Sequence, residues 1–137
     1  MNYKLMSVRL RVARKLIADP HSWTKGTSAK AKKIGGQALV PCDPFSRRAC
    51  AWCATGAIQR GFGHRIDEDR DYDGSMFDEA VRLVACVSGD YDEANWLQRN
   101  VGTIAAWNDS EETVHRDVLE AFDNAIAVAE CYSGEAK

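Results

Sequence analysis

The segment from Asp43 to Gly61 constrains the fold most strongly, because its start, its interior and its end all favour a single helix. Asp43 is a favourable N-cap residue, and Pro44 suits the first helical position, where the N–H group that it lacks would have no partner. Small side chains recur through the interior at helical spacing: Ala49, Cys53, Gly56 and Ala57. Gly61 suits the end of the helix. The sequence therefore predicts a central helix over residues 44–60, against which another backbone can pack closely.

Length and composition predict one soluble globular domain over residues 1–137. Hydrophobic residues make up 45% of the chain and charged residues 28%, which are typical values for such a domain. No apolar run is long enough to span a membrane, and Arg9, Arg11 and Arg14 interrupt the apolar stretch that a signal peptide would need. Because five cysteines cannot all pair within the chain, we expect free thiols and a cytoplasmic location, with no membrane partner.

The charges are divided unequally between the two halves of the chain. Residues 1–65 carry thirteen Lys and Arg against two acids, whereas residues 66–137 carry five against eighteen. The resulting +11 and −13 agree with the formal net charge of −2. This asymmetry indicates either an anionic partner for the first half or pairing of the two halves within or between molecules. In the alternative interpretation, the charges intersperse on one surface and serve solubility.

Hydrophobic periodicity and turn residues predict the remaining elements. They are a helix over residues 3–18, a hairpin over 22–40, an acidic loop over 62–74, a helix over 76–88 and a C-terminal helix over 110–131. The hairpin is expected to lie on the helices through Trp23 and Leu39, and Asn108-Asp109 is expected to cap the last helix. The segment 90–107 is expected to include a short helix. The predicted fold class is mainly α with a small two-stranded β-hairpin (α+β), in a compact bundle of about four helices.

The two terminal helices have the clearest apolar faces. In the first helix, the apolar residues at helical spacing are Met6, Leu10, Ala13 and Ile17. In the last helix, they are Val114, Val118, Phe122, Ala125, Ile126 and Ala129. We expect these two faces to contribute to the hydrophobic core.

Three motifs follow one another in a recognisable order. They are Trp23-Thr24-Lys25-Gly26, Trp52-Cys53-Ala54-Thr55-Gly56-Ala57 and Trp107-Asn108-Asp109. In these motifs, residues 10–130 of the chain resemble a family of small bacterial and bacteriophage proteins that form a domain of unknown function. The resemblance transfers no established activity. The frequency of such proteins in phage genomes implies a host-interaction or anti-defence role in the cytoplasm of a bacterial host cell.

Two stretches have the composition of a metal site. Four potential zinc ligands lie close together in the sequence: Cys42, Cys50, Cys53 and His64. A structural zinc site usually holds its cysteine pair on a turn, whereas this pair falls within the predicted helix. The acids of residues 69–74 follow the start of a calcium loop, but the twelfth position brings Ala80 instead of a glutamate. We therefore expect no essential metal ion and no cofactor.

The sequence gives little support to catalysis. Cys42 is the cysteine nearest to the start of the predicted central helix, but the neighbouring charge of Asp43 opposes formation of a thiolate. Three histidines, His21, His64 and His115, have no adjacent pattern that would identify a general base. A small nucleotide hydrolase stays open as one alternative. Another is a protein-interaction module whose acidic surface engages a host protein, and a small homo-oligomer is expected.

The sequence best supports binding without catalysis, with a small anionic, nucleotide-like ligand between the hairpin and the central helix. The candidate ligand-binding residues are Trp23, Lys25, Gly26, Ser28, Lys30, Arg47 and Arg48. In this hypothesis the indole offers a stacking face, the lysines offer charge, the glycine permits backbone approach, and an arginine holds phosphate. Trp23 could instead be a core residue. The resemblance to phage-associated proteins favours a sponge that sequesters a host nucleotide signal, whereas nucleic acid is not an expected partner.

Overall fold

The chain folds into five helices and a small sheet, as seen in a computed structural model that describes residues 1–64, 72–88 and 96–134, with side chains at 1–64, 76–85 and 101–134. The helices are α1 (Tyr3–Leu16), α2 (Ala54–Phe62), α3 (Tyr72–Ser88), α4 (Trp96–Asp109) and α5 (His115–Ser133). The strands are β1 (Ala29–Lys32), β2 (Leu39–Pro41) and β3 (Ala49–Trp52). The predicted class, mainly α with a small sheet, is confirmed.

The hydrophobic core lies between α1, α2, α3 and α5. Its largest fully buried side chains include Met6, Leu10, Ile58, Phe77 and Phe122. The predicted apolar face of α1 is confirmed, since all four of its residues are buried. Burying a large aliphatic or aromatic side chain stabilises the folded protein by about 1.5–3 kcal/mol. The buried residues of α1 therefore make a large contribution to the stability of the fold.

The predicted central helix over residues 44–60 is wrong in its first half. The Asp43 carboxylate accepts a hydrogen bond from the Phe45 N–H at 2.7 Å, which makes a turn rather than a helix cap. The chain then enters β3, and α2 begins only at Ala54. Pairing with β1 and burial of Trp52 outweigh the local capping signal, because strand formation depends on contacts distant in the sequence.

The end of α2 also differs from the prediction. Gly61 lies inside the helix, where a Cβ would come within 2.9 Å of the Ala13 Cβ and of the Arg9 carbonyl oxygen. The helix ends instead at Gly63, which has the left-handed backbone conformation with φ of 63°. Gly61 is therefore a point of close packing against α1 rather than a stop.

The predicted hairpin over residues 22–40 belongs to a three-stranded antiparallel sheet with the order β2-β1-β3. Strands β1 and β2 form the hairpin, and Lys32 lies opposite Leu39. The strand-like alternation predicted from residue 22 onward begins only at Ala29, since residues 20–22 form a short 3-10 turn. Leu39 does not pack on the helices as predicted, because it stands on the edge strand and is 44% exposed.

The second half of the chain corrects three further predictions. The short helix expected in segment 90–107 is the 14-residue α4, and Asn108-Asp109 ends this helix instead of capping α5. Helix α5 begins at His115, and its first turn is supported by the Asp117 carboxylate, which accepts from the Val114 N–H at 3.1 Å. Val114 was expected in the core but is 53% exposed. In the predicted acidic loop over 62–74, residues 65–71 lie outside the described residues, and so does part of the candidate calcium loop.

Candidate functional site

Asn108 joins three separate segments of the chain. It is fully buried at the end of α4. Its Oδ1 accepts from the Trp23 Nε1–H at 2.7 Å and from the Ala54 N–H at 3.0 Å, and its Nδ2 donates to the Thr24 carbonyl at 3.1 Å. One amide side chain thus connects the loop before β1, the N-terminus of α2 and the C-terminus of α4.

Two neighbours of Trp23 strengthen the same junction. The Lys25 ammonium donates to the carbonyls of Ser110 at 2.6 Å and Thr113 at 2.9 Å. The Gly26 N–H donates to Asp109 Oδ1 at 2.8 Å. Both carbonyls belong to the loop between α4 and α5, so Lys25 connects this loop to the loop before β1. We call this set of contacts the clasp, comprising Trp23, Lys25, Gly26, Asn108 and Asp109.

The clasp uses the groups that nucleotide stacking was expected to need. The Lys25 ammonium lies 5.3 Å from the centroid of the Trp23 ring, a cation–π distance. The His115 ring lies 5.8 Å from the same indole, and its Nε2 is 2.6 Å from the Ile17 carbonyl. Trp23, Lys25 and Gly26 therefore lie together in the clasp, where their polar groups bind other parts of the protein.

A small cavity lies beside the clasp. It has a volume of about 190 Å³ and is lined by Gly26, Thr27, Ser28, Cys53, Thr55, Ala105 and Asp109. Its walls come from the loop before β1, from the N-terminus of α2 and from the last turns of α4. We call it the Cys53 cavity.

The first turn of α2 gives the Cys53 cavity its polarity. The N–H groups of Ala54, Gly56 and Ala57 have acceptors, respectively Asn108 Oδ1, Cys53 Sγ at 3.4 Å and the Cys53 carbonyl at 2.9 Å. The Thr55 N–H has no acceptor among the described residues. The Thr55 hydroxyl lies 3.1 Å from the Cys53 sulfur. A helix N-terminus at which an N–H group lacks an acceptor favours the binding of a negatively charged group.

Backbone packing fixes the position of this helix end. The Ser28 carbonyl accepts from the Cys53 N–H at 3.1 Å. A Cβ on Gly56 would stand only 1.9 Å from the same Ser28 oxygen, so this position has no room for a side chain. Ser28, which directly precedes β1, and the first turn of α2 therefore touch through their backbones beside the cavity.

The remaining predicted ligand residues lie elsewhere. Lys30 is in β1, opposite Pro41 and Ala51. Arg47 is exposed in the loop before β3, and the Arg48 guanidinium donates to the Lys32 carbonyl at 3.1 Å. None of these three cations lines the Cys53 cavity. Of the seven predicted residues, Gly26 and Ser28 line the cavity. Trp23, Lys25 and Gly26 belong to the clasp.

Sequence reasoning missed the site roles of four residues: Cys53, Thr55, Asn108 and Asp109. All four belong to the motifs that carried the family resemblance. Asn108 also follows the apolar positions of α4, and a polar side chain at such a position is a signal for a buried hydrogen-bonded group. The sequence pattern instead favours a helix cap, because this is the commoner role of Asn next to a helix.

The potential zinc ligands do not form a site in the structure. Cys42, Cys50 and Cys53 are free cysteines, and Cys53 serves as the N-cap of α2. Burial raises the pKa of the Cys42 thiol, and the nearby Cys50 and Asp43 raise it further. In the described ranges, no group of three or more His, Cys, Asp or Glu is placed to hold a metal ion.

Replacing Lys25 with methionine should lower the free energy of unfolding by about 2–3 kcal/mol, because two carbonyls lose a charged donor and Trp23 loses its cation–π contact. Urea denaturation measures this loss. Lys32→Met is the matched control, since the Lys32 side chain is exposed in β1 and its loss should change stability by less than about 0.5 kcal/mol. Equal effects of the two substitutions would show that the Lys25 contacts contribute nothing.

Comparison with known proteins places the chain in a family. None of the described helices is long and apolar enough to cross a membrane. Searches among curated proteins and among solved structures find no match. The model of a family of unknown function, DUF6197, matches residues 1–128 and so covers nearly all of the chain. The resemblance to a domain-of-unknown-function family is thereby confirmed, and the chain belongs to the family of unknown function DUF6197.

Proposed function

We propose that the protein binds a small nucleotide-like ligand without changing it chemically, and that the Cys53 cavity holds the phosphate group of this ligand. The proposal rests on the Thr55 N–H at the N-terminus of α2, which has no hydrogen-bond acceptor among the described residues. Thr55 lines the Cys53 cavity together with Ser28. Hydroxyl and N–H donors at a helix N-terminus suit a phosphate, because they act together with the helix dipole.

Asp109 is a candidate for binding a sugar group next to the phosphate. Its carboxylate lines the cavity, and its Oδ1 already accepts from the N–H of Gly26 and from the Asn108 amide. Its Oδ2 has no hydrogen bond within the described part of the chain. A carboxylate repels phosphate but accepts hydrogen bonds from hydroxyl groups. The proposed ligand therefore places its phosphate at Thr55 and a sugar hydroxyl at Asp109.

The size of the cavity limits how much of the ligand it encloses. Its volume of about 190 Å³ is below the roughly 300–1,000 Å³ of pockets that enclose a drug-sized ligand. A phosphate and a sugar fit such a space, so the base would lie outside it. Because the clasp uses the Trp23 indole, stacking on Trp23 is not part of the proposal. A protein that binds without reacting would act by sequestering the ligand, as an anti-defence sponge does.

Thermal shift tests the proposal with inorganic phosphate, ribose 5-phosphate, AMP and cyclic dinucleotides. A ligand present at about a hundred times its Kd adds ~2.7 kcal/mol and should raise the melting temperature by roughly 5–10 °C. Thr55→Val removes the hydroxyl at nearly constant shape, and Asp109→Asn removes the charge. Each should weaken binding of ribose 5-phosphate about tenfold. Thr103→Val, on α4 outside the cavity, is the matched control and should bind as the wild type does.

The outcomes separate the proposal from its alternatives. If no compound shifts the melting temperature, or if Thr55→Val and Asp109→Asn bind normally, the cavity is not the site. If ribose 5-phosphate binds and Asp109→Asn binds it more tightly, the carboxylate only repels phosphate and the sugar contact is wrong. If a bound nucleotide is consumed over time, the protein is a hydrolase. If none of these compounds binds, the result favours the alternative that the protein is a protein-interaction module.

A further inference from the structure

The tip of the β1–β2 hairpin exposes aliphatic side chains. Ile34 is 79% exposed, Leu39 44% and Val40 38%. Ile34 lies in the turn between the two strands, and Leu39 lies opposite Lys32 and so shares its face of the sheet. Val40 lies opposite Ala31, which is buried, so Val40 is on the other face. Exposed aliphatic side chains such as Ile34 and Leu39 at one end of a hairpin mark an interaction site.

Lysines surround these aliphatic residues. Lys32 lies directly opposite Leu39 in the strand register, and Lys33 precedes Ile34. Both lysines are exposed, and no acidic side chain within the described ranges forms an ion pair with them. The hairpin therefore has an apolar centre with an uncompensated positive rim. We call it the basic patch, comprising Lys32, Lys33, Ile34 and Leu39.

The loop before α5 carries the opposite combination. Glu111 and Glu112 are exposed, and Val114, which follows them closely, is 53% exposed. Neither glutamate has a cationic partner in the part of the chain that the structure describes. None of the described hydrogen bonds or ion pairs joins this loop to the hairpin tip. We call it the acidic patch, comprising Glu111, Glu112 and Val114.

We propose that the basic patch of one molecule binds the acidic patch of a second copy of the chain, so that the protein associates head to tail. Each patch offers apolar side chains flanked by charge, and the two charges are opposite. This matches the usual anatomy of a protein interface, in which an apolar centre is surrounded by a polar rim. Because two different surfaces meet, the association is heterologous and produces open chains or a ring.

Two other occupants of the basic patch fit less well. Addition of a peptide strand to β2 would need free backbone donors, and Pro41 supplies none. A single-stranded nucleic acid would use aromatic stacking surfaces, and residues 32–41 contain no aromatic residue. A protein surface with both acidic and aliphatic side chains can pair with the lysines and pack against the aliphatic residues of the basic patch. The acidic patch of the same chain is such a surface.

Sedimentation velocity over about a hundredfold range of protein concentration tests the proposal. The wild type should associate more as its concentration rises, and high salt should weaken the association. Two charge-reversal variants separate the patches: Lys32→Glu with Lys33→Glu, and Glu111→Lys with Glu112→Lys. Each variant alone brings like charges together and should weaken the association about tenfold or more.

Mixing the two variants gives the sharpest test. The first variant then has two acidic surfaces and the second has two basic surfaces, so an equimolar mixture should associate although neither variant does so alone. Lys15→Glu with Arg116→Glu changes the net charge as the first variant does, but at exposed positions outside both patches, and should associate like the wild type. Circular dichroism checks that each variant is folded.

Three results would overturn the proposal. The first is a wild type that stays monomeric at every concentration. The second is association that survives both charge reversals. The third is a mixture of the two variants that stays monomeric although the wild type associates and both variants are folded, which would show that the two patches do not meet.

Discussion

Replacing Asn108 with alanine should lower the melting temperature by about 10–20 °C, which corresponds to a loss of ~3–5 kcal/mol in the free energy of unfolding. The substitution leaves the Trp23 Nε1–H, the Ala54 N–H and the Thr24 carbonyl without the partner that the fully buried Asn108 supplies. Each buried group that loses its hydrogen bond costs about 1–3 kcal/mol, and a small cavity adds to this cost. Scanning calorimetry measures the loss directly.

Asn124→Ala is the matched control for Asn108→Ala. Asn124 is an exposed residue of α5, so the same chemical change should alter stability by less than about 0.5 kcal/mol. Asn108→Asp adds a second comparison, because it keeps an acceptor for Trp23 but places a buried charge next to Asp109. We expect it to be at least as destabilising as alanine. If Asn108→Ala melts within a few degrees of the wild type, the clasp does not hold the three segments together.

The terminal helices could be predicted from the sequence because their stability depends on local periodicity. In α1 the four residues at helical spacing are all buried, as expected. In α5 the prediction is confirmed from Val118 to Ala129 but is wrong at Val114. The helix starts after that residue, so the apolar pattern continues past the end of the element. Periodicity thus identifies a helix more reliably than it identifies the limits of the helix.

The central segment could not be predicted because its structure depends on partners far away in the sequence. Residues 49–51 have small side chains that do not oppose a helix, yet residues 49–52 form a strand that pairs with β1. Nothing local marks this pairing, since the partner strand lies about twenty residues earlier in the chain. The cap of α2 is Cys53, which is not among the common N-cap residues, so the start of the helix carried no familiar signal.

The sequence predicted only part of the candidate site, because the site also depends on contacts between segments that are distant in the sequence. The sequence predicts a site between the hairpin over 22–40 and the central helix, and Gly26 and Ser28 in the loop before β1 line one cavity with the start of α2. The prediction puts Arg47 and Arg48 on the first turn of the central helix, but both residues lie in the loop before β3 and neither lines the cavity. The sequence pattern places Asn108 and Asp109 at the cap of the last helix, so it does not predict that these residues of α4 belong to the site.

Replacing Gly56 with alanine should destabilise the protein by about 3–5 kcal/mol and lower its melting temperature by roughly 10–20 °C. The new Cβ would stand 1.9 Å from the Ser28 carbonyl oxygen and 2.8 Å from its carbon. Both are backbone atoms, so no side-chain rotation relieves the clash, and α2 must move away from β1. This movement would also weaken the Cys53–Ser28 hydrogen bond and open the cavity. The better helix propensity of alanine, worth about 1 kcal/mol, offsets only part of the cost.

Gly102→Ala is the matched control, because Gly102 also lies within a helix but a Cβ there would meet nothing within 4 Å. That substitution should raise the free energy of unfolding by about 0.5–1 kcal/mol, since alanine favours the helix more than glycine does. Opposite signs for the two glycines would show that contact with β1, rather than helix propensity, decides the residue at position 56. A stable Gly56→Ala protein would mean that α2 and β1 lie farther apart than the structure shows, and the Cys53 cavity would then lose the wall that gives it its shape.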